Sequence, residues 1–242
     1  MIKKTLLAIV IFLFCIAWSN DPDVNTPVCT APGSQCLCDI ISDGAGGAFI
    51  IWTDGRGGDT DVYMQRLSPT GKALWGHNGR LIYGGPNTQV ASQLAADGSG
   101  GVFFAAGNES VPGSCQYDRY VKRVDSSGNV SWTSDMIVGS EYSPSHFVVI
   151  SDGTGGVFLY WTKEISSVSK TFGQHVDGDG NVLWTAGGIP ASTVAGEQYY
   201  SFAAADGQGG AFVAWRNWRD YPLSDDIFVQ RIDGRGNLLW GQ

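Results

Sequence analysis

The sequence predicts an all-β fold, an array of four antiparallel sheets built from one repeated unit. Three observations carry this. A hairpin signature occurs four times, as LSPTGKALW (67–75), VDSSGNVSW (124–132), VDGDGNVLW (176–184) and IDGRGNLLW (232–240). A second signature, D-G-x-G-G, begins at Asp43, Asp97, Asp152 and Asp206, at spacings of 54, 55 and 54 residues. Each is followed by a short unbroken apolar run: AFIIW from Ala48, VFFAA from Val102, VFLYW from Val157 and AFVAW from Ala211. Such a run is the mark of a strand covered on both faces.

Within each repeat four strands are read in order. The first spans 37–41, 91–95, 146–150 or 200–204. The D-G-x-G-G turn then reverses the chain, its Asp side chain capping backbone N–H groups as an Asx-turn. The apolar run is the second strand. The third alternates, as DVYMQRL, DRYVKRV, KTFGQHV and DIFVQRI. The Gly of the hairpin signature suits a type I turn closed by a G1 bulge, where φ is positive and a side chain is disfavoured. The fourth strand is expected to run from that Gly to Trp75, Trp132, Trp184 or Trp240. Sheets apolar on both faces need a sheet on each side, and radial stacking supplies one. The expectation is therefore a β-propeller-like array of four four-stranded blades. Repeats fall at 36–88, 89–143, 144–197 and 198–242. Seven tryptophans hold repeat positions: Trp52, Trp161 and Trp215 end the second strand, and Trp75, Trp132, Trp184 and Trp240 end the hairpin. Each buries roughly 150–250 Å² when packed, so they are expected to form the contact between blades. Three arrangements stay open: a closed four-bladed ring, half of an eight-bladed ring completed as a homodimer, or part of a longer product.

Residues 1–19 read as a secretory signal, with Lys3 and Lys4 before a short apolar run and Ala17 and Ser19 flanking Trp18 at the cleavage point. A lipid anchor at Cys15 is the less favoured reading, because Phe14 precedes it. A linker, 20–35, leads to the repeats at 36–242. No membrane span is expected after cleavage. The signal removes two lysines and no acid, leaving 13 basic against 23 acidic side chains. With no basic cluster, nucleic acid is excluded as a natural partner. Cys29, Cys36, Cys38 and Cys115 remain, an even number that favours disulfides over a metal site. Cys38–Cys115 with Cys29–Cys36 is one of three possible pairings.

The spacing Asp-x-x-Gly-x-x-x-Trp in Asp125/Gly128/Trp132, Asp177/Gly180/Trp184 and Asp233/Gly236/Trp240 resembles the tryptophan-docking motif of quinoprotein-type propellers. The first copy departs from it, with Ser68 in place of the Asp. It is also similar to the Asp-box of sialidase-like propellers, in which the Gly-to-Trp gap is one residue shorter. The resemblance implies an exported bacterial propeller and no particular activity. The adjacent cysteine pair of a quinone dehydrogenase is missing, since Leu37 separates Cys36 from Cys38.

For function, the links between second and third strands share almost nothing (TDGRGGDTD, GNESVPGSCQYD, TKEISSVSK, RNWRDYPLSDD), the layout of a binding face on a rigid scaffold. Arg216, Trp218, Arg219 and Tyr221 are candidates for a stacking platform for a sugar or peptide; the plainer reading packs Trp218 on the blade edge. Asp54, Asp59 and Asp61 are a weak calcium candidate. The column Arg66, Arg123, His175, Arg231 obeys the repeat, as structural side chains do. No catalytic residue and no cofactor is expected. The sequence thus reads as an exported binding or scaffold protein, not an enzyme, that presents its loops to a glycan, peptide or protein. The alternatives are a structural fragment of a surface protein and a sialidase-like glycan-processing enzyme. The latter would show a non-repeating acid beside a Tyr or Arg in the central mouth.

Overall fold

A computed structural model describes residues 26–114, 116–134, 138–142, 147–220 and 224–241. The signal segment, His146, Cys115 and Tyr221 lie outside them, as do the side chains of Cys38 and Arg219. The described chain is all β, with four antiparallel sheets in sequence order. The first joins β1 (Gln35–Ser42), β2 (Ala48–Asp54), β3 (Asp61–Leu67) and β4 (Arg80–Tyr83). The second joins β5 (Gln89–Ala96), β6 (Val102–Glu109), β7 (Gln116–Val124) and β8 (Val130–Thr133), with β9 (Val138–Tyr142) also on β7. The third holds β10 (Val148–Ser151), β11 (Val157–Ile165), β12 (Val168–Val176) and β13 (Ile189–Pro190). The fourth holds β14 (Glu197–Ala205), β15 (Ala211–Asp220) and β16 (Ser224–Ile232).

The expected fourth strand is the part of the hairpin that differs. Between the hairpin Gly and the Trp only a single bridge forms in three blades, Leu67–Ala73, Val176–Val182 and Ile232–Leu238. The fourth strand proper follows the Trp in the first and third blades, as β4 and β13, and the fourth sheet has three strands among the described residues. In the second blade the strand does run through Trp132, which pairs with Arg123 while its indole reaches Gly178. In the other three a third-strand glutamine, Gln65, Gln174 or Gln230, takes the Trp backbone N–H on its side-chain oxygen. Lys122 holds that place in the second blade, and the ladder continues.

Both signature turns form as their residues dictate. The hairpin glycines Gly71, Gly128, Gly180 and Gly236 sit at φ 76°, 84°, 93° and 88°. In D-G-x-G-G the first carboxylate oxygen accepts two backbone N–H groups: Ala45 and Gly47 on Asp43, Ser99 and Gly101 on Asp97, Thr154 and Gly156 on Asp152, Gln208 and Gly210 on Asp206, all at 2.7–2.8 Å. The last Gly admits no side chain, because a Cβ on Gly47 would lie 2.1 Å from the Leu67 carbonyl oxygen.

The core lies between sheets. Phe49 and Ile51 of the first blade pack on Leu94, Val102 and Phe104 of the second. Phe103 and Ala105 pack on Val157 and Leu159, and Phe158 and Tyr160 on Ala211 and Val213. The hairpin Trp joins each interface, with Trp75, Trp132 and Trp184 lying 5.6–5.7 Å from Phe49, Phe103 and Phe158. The inner-edge strands meet in chain order, β1 with β5, β5 with β10 and β10 with β14. No comparable contact returns from β14 to β1 among the described residues. Trp184 is buried between two blades, whereas Trp240, in the same motif, meets no further blade among the described residues and is 44 % exposed. In dilute solution Trp184→Ala is therefore expected to cost about 3–5 kcal/mol. Trp240→Ala, which loses only its stack on Phe212, is expected to cost about 1 kcal/mol. Chemical denaturation of the two variants measures the difference.

Candidate functional site

The residues that break the repeat gather on the fourth blade, at the start of its inner strand. β14 and β15 pair Glu197 with Trp218 and Tyr199 with Arg216; β15 and β16 pair Trp218 with Asp225. Directly paired residues project to one side of an antiparallel sheet, so these five share a face. The Tyr199 hydroxyl donates to the Glu197 carboxylate. The Tyr199 and Trp218 rings lie 5.1 Å apart, tilted by 58°. Arg216 lies 4.8 Å over the Trp218 ring and forms an ion pair with Asp225. In the first and second blades the places of Glu197 and Tyr199, counted back from the D-G-x-G-G Asp, are held by Ser34 and Cys36 and by Thr88 and Val90.

Three devices set this geometry. An extra residue in β14 shifts the register between Tyr199 and Phe202, which brings Tyr199, rather than Tyr200, onto the face of Phe202. Tyr200 takes the bulge's strain at φ 53°. The link into β14 is held by side-chain donors: the half-buried Lys170 Nζ donates to the carbonyls of Val194 and Gly196 at 2.8 and 2.7 Å, and the buried Asn217 Nδ2 to Ala195 at 3.2 Å. Gln198, fully buried behind the site, accepts from the Thr171 N–H of the third blade at 3.0 Å. Burial, and after it the hydrogen bond to Glu197, hold the Tyr199 phenol above its ordinary pKa.

Of the platform expected from sequence, Arg216 and Trp218 fall in this cluster, and Arg219 and Tyr221 are outside the described side chains. Glu197 and Tyr199 were missed. Their signal was present in EQYY, an acid and a phenol two residues apart on a strand, at places where the first two repeats carry neither.

The other sequence candidates go elsewhere. Asp54 does not gather a cation with Asp59 and Asp61, because its oxygens already hold donors. Arg56 bonds both of them, and Trp52 Nε1 donates at 2.8 Å. Cys29 and Cys36 are free thiols, so the pairing Cys29–Cys36 is not formed. Cys29 faces Asp54 and Arg56, and Cys36 faces the Thr53 hydroxyl. The Arg/His column is structural and spans two blades. Within its own blade each member binds the D-G-x-G-G Asp: Arg66 with Asp43, Arg123 with Asp97, His175 with Asp152, and Arg231 with Asp206, at 2.8–2.9 Å. Three of them also reach the next hairpin turn, at the carbonyl to which the indole N–H donates. Arg66 and Trp75 meet at Ser126, Arg123 and Trp132 at Gly178, His175 and Trp184 at Gly234.

No family model and no curated protein matches the chain. Solved structures similar to it include an endo-arabinase from Bacteroides thetaiotaomicron VPI-5482 (13 % identity, TM-score 0.47, 79 % of this chain and 72 % of that one). A thermostable family-43 glycoside hydrolase is similar at 10 % identity and TM-score 0.49, over 86 % and 75 % of the two chains. A puromycin hydrolase is similar at 15 % identity and TM-score 0.49, over 88 % of this chain and 33 % of that one. This is a likeness of fold. The expectation that the chain is not an enzyme is corrected by it: structures named for glycan cleavage share the fold.

The carboxylates that anchor the turns make stability depend on acid. Arg56 beside Asp54 holds its carboxyl well below the ordinary value of 3.8, and Arg66 beside Asp43 holds that one below it too. A depressed folded-state pKa stabilises fully above that ordinary value and is lost as pH falls through the folded one. Thermal melts are thus expected to hold level down to about pH 5 and fall steeply toward pH 2. Asp54→Asn should lower the melting temperature at pH 7 and flatten the acid limb.

Proposed function

We propose that the chain is an exported glycan-processing enzyme of sialidase-like type, with Tyr199 as nucleophile and Glu197 as the base that takes its proton. The observation that carries this is the bonded phenol–carboxylate pair on the inner strand of one blade, at positions the first two blades leave to small or apolar residues. Structural columns repeat from blade to blade; this pair does not. A phenol is a weak nucleophile while protonated, and burial keeps Tyr199 so. An adjacent carboxylate removes that obstacle by accepting the proton as the bond forms.

In the first step Tyr199 Oη bonds to the anomeric carbon, Glu197 takes the phenol proton, and the glycosidic C–O bond breaks with its electron pair leaving on the aglycone oxygen. In the second, water attacks the anomeric carbon, the tyrosine C–O bond breaks, and the proton on Glu197 returns to the departing phenolate. The freed carboxylate takes the proton the water gives up and passes it to solvent, where it balances the aglycone anion. Trp218 and Tyr199 form an apolar corner for a sugar ring, and Arg216 supplies a cation for its carboxylate or hydroxyl groups. Glu197, Tyr199, Arg216 and Trp218 are thus the residues to which binding and turnover are assigned.

Aryl glycosides isolate the first step, because their leaving group departs without a proton. A panel of 4-methylumbelliferyl glycosides, sialosides included, is expected to give turnover with the mature protein. Glu197→Gln should lower kcat about 10²–10⁴-fold, Tyr199→Phe at least as much, and Trp218→Ala should chiefly raise KM. Binding without release of the aryl alcohol, or full activity in Tyr199→Phe, would sink the proposal.

A further inference from the structure

The two end blades are each open on one face, and the openings match. On the side where an inner blade carries the next one, Phe49, Phe103 and Phe158 are fully buried, whereas Phe212 at the same place is half-buried. Around it Ile227 is 77 %, Phe202 64 % and Val229 51 % exposed, where Val62, Val148 and Met64 of other blades are buried. On the opposite side the pattern falls on the first blade. Val102, Val157 and Ala211 are fully buried, and Ala48 is not; Ile40 is 61 % exposed where Leu94 and Val149 are buried.

Hydrogen bonding is left incomplete at the same two places. Each inner junction brings an indole N–H and an Arg or His side chain to one carbonyl of the following hairpin turn. In the fourth blade Arg231 bonds Asp206 and Gln208 within its own sheet. Neither it nor the Trp240 indole N–H reaches a hairpin carbonyl of another blade among the described residues. The carbonyl in register with Ser126, Gly178 and Gly234 on the first blade is that of Pro69, which receives no such pair among the described residues.

We propose that the fourth blade of one copy docks on the first blade of a second copy, with Trp240 Nε1 and the Arg231 guanidinium donating to the Pro69 carbonyl. The repeat itself specifies the occupant. The apolar face around Phe212 is built to receive the edge that the second, third and fourth blades present, and the first blade presents that edge with no other blade against it among the described residues. Gly71, at φ 76°, has the backbone of the three glycines over which an indole already lies. Its seat is held by Thr26, whose hydroxyl is 3.5 Å from where a Cβ would stand; Trp75 and Trp132 atoms approach the same point at Gly128 and Gly180 to 3.0 Å. Docking therefore moves the stretch around Thr26 aside. The contact is head-to-tail, so two copies close on a twofold axis if the rotation allows and otherwise extend into a chain.

Light scattering on the mature protein tests this. Twice the chain mass, or a mass that climbs with concentration, is expected. Ile227→Asp and Ile40→Asp damage opposite faces, both exposed in the single chain, and each should weaken self-association at least tenfold. Mixing the two variants should restore association, because each copy keeps the face the other has lost. If Ile227→Asp melts early, Phe202→Asp or Val229→Lys replaces it on the fourth blade, and Ile40→Lys replaces Ile40→Asp on the first. A monomer at every concentration, an assembly indifferent to both substitutions, or no recovery on mixing would overturn the proposal. Ile227 pairs with Arg216, so docking covers the face that carries Tyr199 and Glu197. Mass is therefore read on the unaltered protein and turnover on Ile40→Asp, which stays single and keeps that face open, so either reading can fail while the other stands.

Discussion

The structure depends on one carbonyl per junction. Ser126, Gly178 and Gly234 each receive an indole N–H and an Arg or His donor from the preceding blade, and the second donor is fixed in turn by the Asp that folds its own D-G-x-G-G turn. Turn, ion pair and inter-blade bond are therefore one continuous network. Apolar burial drives the sheets together without choosing a register. The directional bonds supply it, by setting where along the next blade each indole comes to rest.

The network explains why the blades are so alike on one side and so unlike on the other. The turn side is constrained at every step: a positive-φ Gly under each of three indoles, an Asp that must accept two N–H groups, and a last Gly pressed against a carbonyl. The opposite side carries no such chain of dependence. There the fourth blade accommodates an acid, a phenol, an indole and a guanidinium together, and the cost of the bulge at Tyr200 is borne by Gln198, Asn217 and Lys170 packed behind it.

Most of the fold was legible because its signals are periodic. The strand order, the Asx-capped turns and the glycine bulges follow from residue types at fixed spacing. The fourth strand runs through its Trp as expected in the second blade and not in the first, third and fourth. There the side chains of Gln65, Gln174 and Gln230 replace the ladder partner of the Trp N–H, a substitution that alternation does not reveal. Half the candidate site was legible too. Arg216 and Trp218 stand out as non-repeating side chains in a variable link. Glu197 and Tyr199 lie on a strand whose register is offset by one residue, so their shared face is not apparent from alternation alone. The calcium candidate failed for a related reason: acids clustered in sequence around Asp54 say nothing of Arg56, which neutralises it.

That one-residue offset has a wider meaning. It occurs in β1 and β5 as well as β14, so every inner strand whose start is described delivers the residue seven places before its Asp to the same side of its sheet. Cys36 and Val90 occupy that address in the first two blades. A duplicated scaffold of this kind offers several equivalent posts for chemistry, of which one has been furnished with a phenol; changing the occupant of another would present a new group in the same orientation with no rebuilding of the backbone.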